Sequence, residues 1–379
     1  MTNAPPNSIN RIIVRGANWV GDAVMTIPAL RELRRLFPQA HIALATRGWA
    51  KGLFAGSDFI DALQVHEGTG LRSVVKQVRQ WREGNFDLAV IFPNSLETAL
   101  VASLARVPLR IGYATEGRQK LLTHPLALPE WRSSKHEVFY YLWIVARLEW
   151  LLKHEQTFLD RQPDASIEVS AGRRSVARDF LRARGVELAD DNRPLIALCP
   201  GSVNSRAKRW PAERYAALAD RLIDELNAQV VLIGSAAELD VSLAVSQKMR
   251  HPAVQLTGQT DLAGLVGILS LIDLLVTNDT GPAHIAAALS RPTLVIFGPS
   301  NPLTTRPFSP YADILREPPE CAPCMLRDCP IDHRCMTAIS PDEVLRRART
   351  MLQRTVEPQP RGLERALVPP ARTADKSAF

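Results

Sequence analysis

The chain has 379 residues, 46% hydrophobic and 22% charged, which is enough for two domains that each bury a core and marks a soluble globular protein. Lys and Arg (46) outnumber Asp and Glu (39), giving +7 and a pI near 9.4, so nucleotides, nucleic acid or an acidic membrane surface are the favoured partner classes. No basic stretch followed by an apolar run opens the chain at MTNAPPNSIN, so a secretory signal is not expected and the cytoplasm is the expected compartment.

In chain order, strand patterns alternate with amphipathic segments, which predicts parallel sheets with helices on both faces. The first half offers RIIVRG (11–16), HIALAT (41–46), ALQVH (62–66) and DLAVIFP (87–93). The aromatic-rich helix HEVFYYLWIVARLEWLLKH follows, its large apolar residues read mainly as packing. The second half offers PLIALCPG (194–201), QVVLIGS (229–235), AVQLTG (253–258), DLLVTND (273–279) and PTLVIFG (292–298). The apolar stretch 262–276 is interrupted by Asp273 and is shorter than the roughly 20 residues of a membrane span, so it reads as a buried helix followed by a strand. The expected division is two doubly wound domains, residues 9–165 and 166–355, with the linker within 156–194 and a helix over 170–185 opening the second. A last helix starts at SPDEV, with Ser340 as N-cap, Pro341 at the first helical position and Glu343 completing a capping box. Residues 356–379, rich in Pro, Arg and Ala without an apolar period, are expected to be a disordered tail.

TNDTGPAHIAAAL (277–289) runs from a strand into a helix opened by Pro282. Such a start presents free backbone N–H groups and the positive end of the helix dipole to a phosphate, although an ordinary helix capped by Asp279 or Thr280 fits the same string. CPGSVNSRAKRWP (199–211) again runs from a strand into a polar loop, bringing Ser202, Ser205, Lys208 and Arg209 to the strand's C-terminal end, where open α/β sheets bind ligands. Lys208 reads locally either as a solvated lysine or as a point charge for a diphosphate. There is no GxxxxGK[ST], so this is no P-loop. In IGSAAELD, Glu238 could accept hydrogen bonds from a ribose or base, or favour the start of its own helix.

In the first half, RGANWVGDAV carries Asp22 at a helix entrance, with Gly16 and Gly21 leaving room for a ligand; the acid reads as a helix-start residue or a general base. The basic string RVPLRIGYATEGRQK supplies Arg110, Arg118 and Lys120 as candidates for an anionic acceptor, or as a solvated edge. Cys321, Cys324, Cys329 and Cys335 crowd into one loop with His333. Their spacing is not that of a standard zinc finger, which leaves reduced thiols in a compact loop as the main reading and a structural metal as the alternative. The basic residues are spread along the chain and no nucleic-acid module is present, so nucleic acid is not the expected partner.

WVGDAVMTIPAL, AKRWP and DTGPAHIAAAL, in that order, with the C-x2-C-x4-C loop after them, closely resemble glycosyltransferase family 9, and within it the ADP-heptose:lipopolysaccharide heptosyltransferases. The resemblance runs from about Arg11 to about Arg354. It implies a GT-B architecture, two Rossmann-like domains facing a cleft, with the donor nucleotide on the second and the acceptor on the first. It implies Asp22 as the catalytic acidic residue, accepting the acceptor's proton, Lys208 on the donor diphosphate, and Asp279, Thr280, Gly281 and His284 as the donor-site motif. Glu238 falls at an acidic donor contact, and Ser202 and Asn204 where the family places small polar donors. The implied reaction is metal-independent, inverting transfer of L-glycero-D-manno-heptose from ADP-heptose to the first heptose of the lipopolysaccharide inner core. The enzyme would work at the cytoplasmic face of the inner membrane, with the linker and the last helix as hinges. A family member with a different acceptor and a non-catalytic sugar-nucleotide sensor are the alternatives.

Overall fold

Strand β1 (Arg11–Arg15) is buried along both faces from Ile12 onward, the pattern of a central strand in a parallel sheet. In the computed structural model, which describes residues 9–157, 161–188 and 193–354, β1 is flanked by β2 (His41–Thr46) and β4 (Leu88–Ile91). With β3 (Ala62–Val65), β5 (Leu109–Tyr113) and β6 (His124–Leu126) they form a parallel sheet ordered β3-β2-β1-β4-β5-β6. The second sheet contains β7 (Leu195–Cys199), β8 (Gln229–Leu232), β9 (Val254–Gln255), β10 (Leu274–Asn278), β11 (Thr293–Ile296) and β12 (Ala312–Leu315), ordered β12-β11-β10-β7-β8-β9. Counted from its own first strand, each sheet runs 3-2-1-4-5-6, the doubly wound order whose crevice opens where the winding reverses. Those crevices lie at the C-terminal ends of β1 and β4, and of β7 and β10.

Three strands, β5, β6 and β12, lie outside those expected from sequence. β6 and β12 are edge strands and β5 lies one strand in from the edge; all three are short and carry charge or proline. The expected helix over 170–185 is Ala171–Arg182, with the Ser170 side chain accepting from Arg173 N. The helix Glu137–Lys153 packs on the helix Ile27–Leu36 and buries Tyr140, Tyr141, Ile144 and Leu148, so its aromatic run serves the core.

The chain passes between domains near residue 165. Arg31 of the first domain donates to Ser166 O at 3.0 Å, and Ile167 N donates to Ala288 O of the second at 3.0 Å. The helix Pro341–Arg354 starts at the expected proline, with Glu343 N bonded to Ser340 Oγ, but the Glu343 carboxylate pairs with Arg346 and Arg347 where the capping box expected it to turn back to Ser340. It packs on the helix Ala212–Leu226, where Arg221 pairs with Asp342 and Arg349 with Glu225, and Arg347 reaches Asp313 at 3.0 Å. The tail expected over 356–379 lies outside the described residues. Among those described, no helix is long and apolar enough to cross a membrane.

Candidate functional site

The helix Val20–Met25, which follows β1, lies directly against the helix Gly281–Ala288, which follows β10, so the two crevices meet. The approach depends on two glycines. A Cβ on Gly21 would stand 3.0 Å from His284 Cδ2, and one on Gly281 would stand 2.9 Å from Val20 Cβ. Gly21 therefore makes room for the other domain, not for the ligand expected from its place in RGANWVGDAV.

Asp22 is the third residue of its helix and is partly accessible. Burial pushes its carboxyl up to about 6; the charges of Arg132 and Lys208 oppose the rise and that of Asp279 adds to it. Asp22 thus feels groups of both domains. On its own side, Arg132 makes a two-pronged pair with Glu137, at 2.9 Å through Nη2, and lies over the Tyr140 ring at 4.0 Å. Burial raises Glu137 to about 6, against the pull of Arg132 and helped by Asp22.

In the second domain, Lys208 Nζ donates to Asp279 Oδ2 at 2.7 Å, and Ser300 Oγ donates to the same oxygen at 2.6 Å. The lysine is thereby held at the entrance of the helix Gly281–Ala288. Thr280 is extended and makes no side-chain cap; Pro282 has no N–H and Ala283 N donates to Thr280 O at 3.1 Å, so it is the Gly281 N–H that stays open at the start of that helix. The loop carrying Lys208 is fixed from below by Asn278. Its Nδ2 donates to Pro200 O at 2.8 Å and Gly201 O at 3.1 Å, while its Oδ1 accepts from Trp210 N and the Tyr215 hydroxyl. His284 is 5% exposed, and burial takes it down to about 4, with Asp279 opposing the fall and Lys208 adding to it, so the imidazole is neutral.

Glu238 serves its own helix start, accepting from Ser235 N at 2.8 Å and Ser235 Oγ at 2.7 Å in a capping box. Its other oxygen lies against Gly201, where a Cβ would clash at 2.3 Å, so the acid also borders the Lys208 loop. Ser202 is buried and offers its carbonyl to Arg209; Asn204 is exposed beside it.

The acceptor-side basic residues require correction. Arg118 is 0% exposed and donates to the carbonyls of Tyr113, Pro93 and Ser95 and to Asn94 Oδ1, so it pins the loops after β4 and β5 and has no face for a ligand. Arg110 is likewise engaged with Leu121 O at 2.8 Å and Val107 O at 2.5 Å. Lys120 alone of the three is exposed.

The cysteine loop braces the Lys208 loop. Ala207 N donates to Arg327 O at 2.9 Å, Arg206 pairs with Asp328 at 2.6 Å, and His333 Nε2 contacts Ala207 O at 2.5 Å. The thiols of Cys321, Cys324, Cys329 and Cys335 are free, and among the described residues no group of three or more His, Cys, Asp or Glu is arranged to hold a metal ion.

Sequence reasoning did not single out Arg132, Glu137, Ser300 or Asn278 as working parts. Only Asn278, a polar residue ending an apolar strand, left a local signal.

Two doubly wound domains, meeting with an acid on one side and a lysine beside a helix entrance on the other, define a GT-B glycosyltransferase architecture. The family profile described as glycosyltransferase family 9 (heptosyltransferase) matches residues 74–334, and the chain belongs to that family. It is 32% identical to lipopolysaccharide heptosyltransferase 2 of Salmonella typhimurium over 317 residues, 81% of this chain and 88% of that one, and equally identical to the Escherichia coli protein of the same name over 314 residues. Among solved structures, E. coli ADP-heptose lps heptosyltransferase II superposes with a TM-score of 0.76 at 29% identity, covering 91% of this chain and 99% of that one. The glycosyltransferase family 9 structure from Veillonella parvula gives 0.78 at 26% identity, with 93% and 99% covered.

Proposed function

We propose that this protein transfers L-glycero-D-manno-heptose from ADP-heptose to the first heptose of the lipopolysaccharide inner core. The observation that carries the reading is the meeting of Asp22, with its carboxyl raised to about 6, and the Lys208–Asp279 pair at the start of the helix Gly281–Ala288. The names of the similar heptosyltransferases support the substrate pair.

ADP lies on the second domain, its diphosphate met by Lys208, by the Gly281 N–H and by the positive end of the helix dipole. The acceptor lies on the first. Asp22 takes the proton of the acceptor hydroxyl as that oxygen bonds to the anomeric carbon. The bond from that carbon to the diphosphate oxygen breaks on the opposite face, and ADP leaves with the electron pair, so configuration inverts. Lysine and helix dipole receive the developing charge, so the step needs no metal and proceeds in the presence of EDTA. The acceptor is anionic and membrane-borne, which gives the +7 charge a use at the cytoplasmic face of the inner membrane.

Mass spectrometry of purified protein incubated with ADP-heptose and a core fragment ending in the first heptose tests the reading. One added heptose with release of ADP is expected; an unchanged acceptor, with the donor intact, contradicts it.

A further inference from the structure

A second charged cluster lies at the C-terminal edge of the first sheet, on the face opposite the helix that carries Asp22. Ile12 and Val14 pack with Ala23, Val24 and Met25, whereas Ile13 packs with Ala43, Ala45 and Trp81 on the other side. Side chains alternate along a strand, so Arg15 shares the face of Ile13. The register pairs Arg15 with Ala45 and Ala45 with Gln64. Arg47 and His66 stand two residues further along β2 and β3; Arg47 is extended, and His66 N still bonds to Thr46 O at 3.0 Å. Three adjacent strands therefore place Arg15, Arg47 and His66 on one face at one edge.

Among the described residues, no acid makes an ion pair with this group. Arg15 is 3% exposed, and among the described residues its guanidinium has no hydrogen-bond or ion-pair partner, with Nε and Nη1 wholly enclosed. His66 is 5% exposed and its Nε2 is also enclosed without a partner. Arg47 is half-buried and spends one donor on Gly68 O at 2.9 Å. The acids nearby are Glu97, which is exposed and acts on Arg15 only through its charge, and Glu67, whose carboxylate lies over Gly48. A buried guanidinium with free donors is costly unless an acceptor meets it, and two arginines side by side add repulsion. Burial and the same two charges take His66 down to about 3, leaving it neutral and able to donate one hydrogen bond.

We propose that Arg15, Arg47 and His66 form a subsite for a single oxyanion group, a carboxylate or a phosphate, separate from the Lys208 site. The planar guanidinium donors match the oxygens of either group. The group comes either from the acceptor, whose chain would cross the sheet edge from Asp22, or from a free anion. The acceptor source rests on the transferase reading; the anion site itself does not.

The test uses the full chain saturated with ADP, so that the second domain is occupied, and titrates inorganic phosphate at constant ionic strength by calorimetry and thermal denaturation. Phosphate is expected to bind and to raise the melting temperature. Arg47→Met, at the edge of the site, should weaken that binding at least about tenfold, the loss expected for one charged hydrogen bond. Arg15→Met should abolish it and, in phosphate-free buffer, be no less stable than the parent. Phosphate that does not bind, or that binds Arg47→Met as tightly as the parent, overturns the proposal and leaves a buried water or the donor site as the occupant. If the variant also raises the acceptor KM with the donor KM unchanged, the anion belongs to the acceptor; an unchanged acceptor KM assigns the subsite to a free anion.

Discussion

Lys208 Nζ lies 2.7 Å from Asp279 Oδ2, an ion pair that ties the loop after β7 to the loop after β10 at the mouth of the second domain. The aspartate is 5% exposed in its side chain and is further held by Ser300, whereas the lysine is 29% exposed and open toward the cleft. Asp279 thus fixes the lysine's position before any donor arrives. Lys208→Met should weaken ADP binding about tenfold or more, the loss of a charge-assisted contact, and also lower stability by leaving Asp279 buried and unpaired. Adding Asp279→Asn should restore the melting temperature without restoring ADP affinity. Calorimetry showing unaltered ADP affinity in Lys208→Met would remove the lysine from the donor site.

Asp22 must be ionised to accept a proton. With its carboxyl raised to about 6, activity is present above that pH and is lost as pH falls through it. The plot of log kcat/KM against pH should bend near 6 and fall about one decade per pH unit below it. A profile flat down to pH 4.5 would show that another group takes the proton.

The raised carboxyl has the opposite consequence for stability. The fold prefers the neutral acid, so ionised Asp22 destabilises it; the cost is absent below the ordinary value of 3.8 and complete above about 6. Asp22→Asn should therefore be more stable than the parent at pH 8, by up to about 3 kcal/mol, since each pH unit between the two values is worth roughly 1.36 kcal/mol. The gain should vanish near pH 4. Equal melting temperatures across that range would mean that the cleft does not disfavour the charge.

The domains also touch away from the cleft. A Cβ on Gly52 would stand 2.5 Å from Ala263 N and 2.9 Å from Ala263 Cα, backbone atoms that cannot swing aside. Arg173 bridges the same contact, donating to Gly52 O and, at 3.0 Å, to Ala263 O. Gly52→Ala should cost about 1–3 kcal/mol and increase the radius of gyration in small-angle scattering. An unchanged scattering curve and melting temperature would show that the contact yields easily.

Arg118 supplies a test of the corrected acceptor side. Removing its donors leaves the carbonyls of Pro93, Ser95 and Tyr113 short of partners, each worth about 1–3 kcal/mol where buried. Arg118→Met should lower the melting temperature strongly while leaving the acceptor KM of the folded fraction unchanged. A raised KM at normal stability would return the residue to the binding site.

The central strands were legible because burial on both faces writes them as apolar runs. Strand β5 was hidden in the string that also holds Arg106, Arg110 and Arg118, where charge masked a short strand next to the edge, and the edge strand β6 carries Pro125. The site was legible where one local string holds a whole device, as in NDTGPAH or AKRWP. It was not where the device joins distant segments. Nothing in the string around Arg118 shows that its charge turns inward, and nothing near Arg132 shows that its field reaches Asp22. Nor does RIIVRG show that Arg15 meets Arg47 and His66, because only the register of three strands brings them together.

The central claim is that Asp22 takes the acceptor's proton while ADP-heptose is held by the other domain. Single-turnover transfer by Asp22→Asn, measured beside ADP affinity on the same preparation, tests it most directly. The account predicts turnover reduced at least about a hundredfold with ADP affinity nearly unchanged. Transfer at the parent rate, or a parallel loss of ADP binding, would contradict it.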